Sequence, residues 1–173
     1  VSYRDEDGQR VYDDGDYNVI GYVRKGLSPT LTAGLTWEGN RDFDTVGFDA
    51  VWASPIGSFA INSATNIRDP KPSSSRLALQ YSWRDTDRAR SRTIDAQVVM
   101  TGEDYQTLNR IFGGNNVKLS GQFRAGQSFG PKWRGQAYAG YEEARAFGER
   151  YYAGINLSHQ FDFGTLSFGA EYQ

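Results

Sequence analysis

The chain has 173 residues, enough for one domain with its own core and too few for two large ones, so it is read as a single unit spanning 1–173. Lys and Arg number 19 against 21 Asp and Glu, a net charge of −2 with the signs interspersed, which removes the electrostatic case for a nucleic-acid partner; with no Cys and one His, thiolate and histidine metal centres lack their ligands and no cofactor is expected. A mean hydropathy of −0.64, with no apolar run approaching the ~18 residues of a membrane helix, excludes that kind of span and leaves a strand-built membrane barrel open.

Val1 opens directly in polar sequence, so no secretion signal is visible; for an exported protein this predicts a mature form or an excised piece. Residues 1–4 read as the tail of a strand. The acidic stretch that follows, to Asp16, reads as an exposed loop, because its repelling carboxylates resist burial. A strand is predicted over Asp16 to Arg24. Lys25 to Thr30 then reads as a turn, with Gly26 free to take positive φ and Pro29 unable to pair.

Leu31 to Trp52 is the clearest hairpin. Leu31, Ala33, Leu35 and Trp37 alternate with Thr32, Gly34, Thr36 and Glu38; after a polar break over Gly39 to Phe43, Val46, Phe48, Ala50 and Trp52 alternate with Thr45, Gly47, Asp49 and Val51. Further strands are predicted over 58–66, 76–83, 93–100, 117–125, 133–141, 151–161 and 165–172. Ser54 to Gly57 is a tight turn, Arg68 to Ser75 a proline-containing loop, and Arg84 to Ser91 a charged connection. The longest gap is Thr101 to Gly114, where TLNRIF has room for one helical turn or a short strand. The expected fold is therefore all-β: an antiparallel meander of ten strands.

The same alternation serves a soluble barrel. The other face argues for lipid: it is Thr, Gly, Ser, Gln and Asn with sparse charges of both signs, where a soluble barrel would carry dense Lys and Glu. One Arg or Lys at the bilayer midplane on a lipid face costs roughly 2 to 4 kcal/mol, and the apolar sets contain none. Trp37, Trp52, Trp83 and Trp133 lie near strand ends, where an aromatic girdle would need them, and the 14% aromatic content with 20 Gly suits a barrel wall. Connections after odd-numbered strands are mostly shorter than those after even ones, as between periplasmic turns and external loops. The expectation is a transmembrane β-barrel in contact with outer-membrane lipid.

Arg24-Lys25-Gly26-Leu27-Ser28 followed by Leu31-Thr32-Ala33-Gly34-Leu35, then Gly47 to Ala53, Pro55 to Phe59 and Ser63 to Thr65, resembles the barrel wall of the outer-membrane ushers of the chaperone-usher pilus pathway. The resemblance covers Val23 to Asn66, with Lys25 where the family usually has Tyr. It implies a segment, lying after the plug, of a barrel of about two dozen strands. It also implies translocation of pilus subunits, with those subunits and a periplasmic chaperone as partners. Beside it stand a self-contained small outer-membrane barrel, acting as porin, adhesion protein or rim-site enzyme, and a soluble ligand-binding barrel.

The residues expected to line a hydrated lumen are Glu38, Asp49, Arg76, Asp95, Lys118, Arg124 and Arg134; equally, they would serve as a charge network filling a narrow closed barrel. His159 has no partner His or Cys and reads as interfacial or structural. Glu103-Asp104 and Glu142-Glu143 read as loop or opposite-face carboxylates rather than an acid/base pair. Arg88, Arg90 and Arg92, mixed with Asp85 and Asp87, read as a solvated loop ahead of a lipopolysaccharide-phosphate site. No nucleophile and base assemble, so no enzymatic activity is expected. The strand directions place both ends of the chain outside, which predicts that the sheet does not close on itself and that its outer strands pair with others.

Overall fold

In the computed structural model the described residues are 2–4, 10–12, 19–39, 44–67, 74–85, 90–105 and 117–173. Among them every regular element is a strand. A small antiparallel pair joins β1 (Ser2–Arg4) to β2 (Arg10–Tyr12). The main body is a ten-stranded antiparallel sheet in which chain neighbours are also sheet neighbours. Its strands are β3 (Val19–Ser28), β4 (Leu31–Gly39), β5 (Asp44–Ser54), β6 (Gly57–Asn66), β7 (Ser75–Asp85), β8 (Arg92–Thr101), β9 (Val117–Phe129), β10 (Trp133–Ala144), β11 (Gly148–Phe161) and β12 (Gly164–Tyr172). These correspond one to one with the ten expected strands. Within the expected opening loop Arg10–Tyr12 is strand instead, because it finds a pairing partner in Ser2–Arg4; the rest of that loop, TLNRIF, Arg88 and Asp87 lie outside the described residues.

Several boundaries move. The expected turn at Lys25 is strand: β3 runs on to Ser28 through a bulge between Gly26 and Ser28, and only Pro29 and Thr30 turn. Gly26 therefore keeps an ordinary extended φ, and the positive-φ glycines are Gly57, Gly130 and Gly148, each beside a hairpin turn. β9 and β10 outrun their alternating cores because each has a partner on both sides, and pairing continues to Phe129 and Ala144 respectively.

Residues directly opposite in an antiparallel pair share a face, so the register carries each strand's alternation across the whole sheet. Val23 stands opposite Leu35 and Leu35 opposite Phe48; Ile61, Leu79 and Val98 follow one another in β6, β7 and β8; Phe123 meets Ala139, and Leu157 meets Phe168. One face is thereby apolar from edge to edge. Charges of that parity sit near strand ends: Lys25, Asp85 opposite Arg92, and Glu143 opposite Glu149.

No other described element covers the apolar face. Leu35 is 55% exposed, Phe48 42%, Phe123 46% and Ile155 65%. Among the described residues only Ala78 and Tyr105 are buried hydrophobics, and no side chain falls below 2% exposure. The buried strand positions Gly34, Thr45, Gly47, Asn66 and Ala78 all belong to the polar face; Gly39, at the end of β4, is the exception. The sheet thus curls around its polar face and leaves the apolar one outside. β3 and β12 lie at its two edges and do not pair with each other, so the sheet is open.

Candidate functional site: the polar face

Glu38, Asp49, Arg76, Asp95, Arg124 and Arg134 occupy one face of the sheet, spread over β4, β5, β7, β8, β9 and β10, whereas Lys118 falls at the pairing irregularity near the start of β9. Alternation along each strand placed them on a common parity within that strand. The cross-strand register joins those parities into one surface.

Glycines make room for interactions that skip a strand. Arg24, Gly34 and Asp49 stand in one row across β3, β4 and β5, and Arg24 Nε reaches Asp49 Oδ2 at 3.3 Å over the glycine. A Cβ at Gly34 would lie 2.5 Å from Asp49 Oδ1. The same arrangement recurs at the other edge, where Tyr138 donates to Glu171 Oε2 at 2.6 Å across Gly154. Tyr152 in turn lies over Gly140, directly opposite it in β10. Arg24, Tyr138, Tyr152 and Glu171 belong to this site although sequence reasoning passed over them. The legible signal was a long polar residue in register with a glycine, which requires the pairing to be known.

The remaining candidates divide. Asp95 faces Arg124 directly across β8 and β9. Lys118 is drawn to the rim, where its Nζ meets Glu143 Oε1 at 2.7 Å beside the irregularity at Glu143 and Ala144. Glu38 keeps one buried carboxylate oxygen without a hydrogen-bond partner among the described residues. Tyr105, from the long connection after β8, is buried and close enough to feel Arg76 and Glu38; burial pushes its phenol above the usual range, Arg76 counteracts this and Glu38 adds to it. Nothing in the unpatterned stretch around Tyr105 marked it as a residue folded onto this face.

Two polar hollows follow the curl. One, of about 390 Å3, is bordered by Arg24, Asp49, Asn62, Arg76 and Gln80; another, of about 240 Å3, by Gln80, Ser82, Asp95, Gln97, Gln122 and Arg124. Their linings set amides, hydroxyls and charges of both signs beside a few apolar residues such as Val51, Ala78 and Ala96, and the polar groups are suited to holding water.

The opposite face carries aromatic clusters at its two ends. At the end of the odd-numbered connections Trp52 stacks on Phe59 at 5.5 Å, Phe59 meets Tyr81 at 4.9 Å, and Trp133, His159 and Phe161 follow at 4.4 and 4.3 Å. At the other end lie Trp37 and the Tyr141–Tyr151 pair, 4.9 Å apart. His159 is therefore an end-of-strand residue among rings, and no carboxylate or nucleophile among the described residues bonds to it. Glu142 falls on the polar face and Glu143 on the other, as the alternation requires, and Glu103 and Asp104 are exposed in a turn.

Comparison with protein-family models, with curated proteins and with solved structures finds no match to this chain.

Proposed function

We propose that the chain is a stretch of transmembrane β-barrel wall in an outer membrane, with its apolar outer face against lipid and its polar inner face along a water-filled passage. The observation that carries this reading is the uncovered apolar face: it is continuous over ten strands and lies open, while the buried strand positions, all in β4 to β7, are with one exception on the polar side. In water such a face is unfavourable by about 25 cal/mol per Å2 of apolar surface, so it needs a cover, and lipid is one that asks for no further protein contacts. The strands have between 9 and 14 residues, against the roughly 9 to 11 that a tilted membrane strand needs. The aromatic clusters at both ends and the confinement of apolar-face charges to strand ends support the same placement.

The open edges favour a wall completed by further strands over a ten-stranded ring, since unpaired backbone groups in hydrocarbon cost several kcal/mol each. The narrower proposal, that the passage serves usher-type secretion and assembly of pilus subunits delivered by a periplasmic chaperone, rests on the residues of Val23 to Asn66 alone. In either form the wall acts by shape and lining, without chemistry of its own.

The absence of Cys makes the test clean. Single cysteines at 97, 98, 99 and 100 in β8, in protein assembled in lipid vesicles, should alternate. Positions 98 and 100 should be quenched by lipid-borne quenchers and shielded from membrane-impermeant thiol reagents, with 97 and 99 behaving in the opposite way. A uniform response along β8 would end the membrane reading. Loss of pilus-subunit secretion on deleting β4 and β5 from the intact system would support the usher part, and unimpaired secretion would remove it.

A further inference from the structure

At the end of the polar face where β7 meets its connection to β8, the charge balance differs from that of the two hollows already described. We infer that this end holds a binding site for a phosphate-class oxyanion in solution, gripped by Arg84 and Arg134. A hollow of about 460 Å3 there is lined by Arg84, Ser91, Thr93, Ser128, Arg134 and Gln136, and among the described residues no carboxylate lines it. The other two hollows contain Asp49 and Asp95 respectively.

The register builds the site. Arg84 stands opposite Thr93, Thr93 opposite Gly126, and Gly126 opposite Gln136; Arg134 lies two residues before Gln136 and opposite Ser128. Two guanidinium groups thus flank a floor of hydroxyls and glycine. A Cβ on Gly126 would come within 2.8 Å of Thr93 Oγ1, so the missing side chain keeps that floor low. Ser91 Oγ and Ser128 Oγ are hydrogen-bonded to each other at 3.1 Å, which leaves one hydroxyl hydrogen of the pair to donate outward. The nearest carboxylate along β8 is Asp95, which faces Arg124.

Among the described residues neither Arg84 nor Arg134 forms an ion pair, whereas Arg24 on the same face is paired with Asp49. Unpaired guanidinium forks present several fixed donors matched to phosphate oxygens, and two of them on one hollow concentrate positive potential where no described carboxylate lines the hollow to offset it. The site faces away from the apolar surface, which selects a dissolved oxyanion over a lipid headgroup.

Calorimetric titration of the full chain with inorganic pyrophosphate in an uncharged detergent, at low ionic strength, tests this. Saturable binding is expected, weakened about ten-fold by Arg84→Gln or Arg134→Gln, with partial recovery in Arg84→Lys, which keeps the charge and loses the fork. Lys132→Gln changes the same net charge at a neighbouring turn residue already paired with Asp162, and should leave binding intact. Equal weakening by Lys132→Gln, absence of binding, or binding of phosphatidylglycerol headgroups without pyrophosphate would each overturn the site. Circular dichroism confirms that the arginine variants keep their strands. Because the titration reads solute binding, its outcome is separate from that of lipid contact at β8.

Discussion

The two faces of this sheet obey the same alternation and meet opposite surroundings. Leu35 and Thr36 are neighbours in β4, yet Leu35 is 55% exposed and Thr36 is partly enclosed by the curl. In a water-soluble sheet the assignment would be reversed. The lesson is that alternation separates two sets of residues without saying which set is inside; curvature decides that, and the solvent then has to suit the outcome.

The sharpest way to break the comparison is to put one charge on each face. Leu35→Arg should destabilise the lipid-assembled protein by about 2 to 4 kcal/mol in a denaturant titration, and Thr36→Arg far less. Equal losses would mean that the faces do not see different solvents.

Glycines sharpen it next, because those on the polar face differ in the space above them. At Gly154 a Cβ would meet the Tyr138 phenol and the Ala170 carbonyl oxygen, the latter at 2.9 Å, so Gly154→Ala should cost roughly 1 to 3 kcal/mol. Nothing lies within 4 Å of a Cβ at Gly26, whose φ is not positive. There Gly→Ala should be neutral or stabilise by about 0.4 to 1 kcal/mol. Thermal unfolding of the two variants side by side gives the contrast, and shifts of the same sign would contradict it.

The Arg24–Asp49 pair is solvent-screened, with side-chain exposures of 51% and 26%, so Asp49→Asn should cost below ~1 kcal/mol, and added salt should erase the difference. A cost that persisted in high salt would show that the pair is more secluded than its exposure indicates.

The smallest effect concerns Tyr105. Its pKa is raised from 10.0, chiefly by burial. The contribution of its neutral phenol to stability is complete below the unfolded value and fades as pH climbs through the higher folded value. Phenolate absorbance should therefore lose a late-titrating component in Tyr105→Phe, and the same variant should lack a small alkaline loss of stability. An unaltered alkaline profile in that variant would place the phenol in water.

Ten strands and both of their faces were legible in the residues, since period-two alternation is imposed by the pleat of each strand and needs no tertiary information. The lumen candidates shared a parity for the same reason. Other features depended on which residue stands opposite which. Arg24 reaching Asp49 over Gly34, Tyr138 reaching Glu171 over Gly154, and Arg84 and Arg134 bordering one hollow each join residues from strands whose relative register is set by pairing, beyond what spacing along the chain specifies. Tyr105 was hidden because a loop residue's burial depends on where the chain returns. The curl that encloses the polar face, and the edges it leaves at β3 and β12, arise from strand twist accumulated over the whole sheet, a property that no single strand carries.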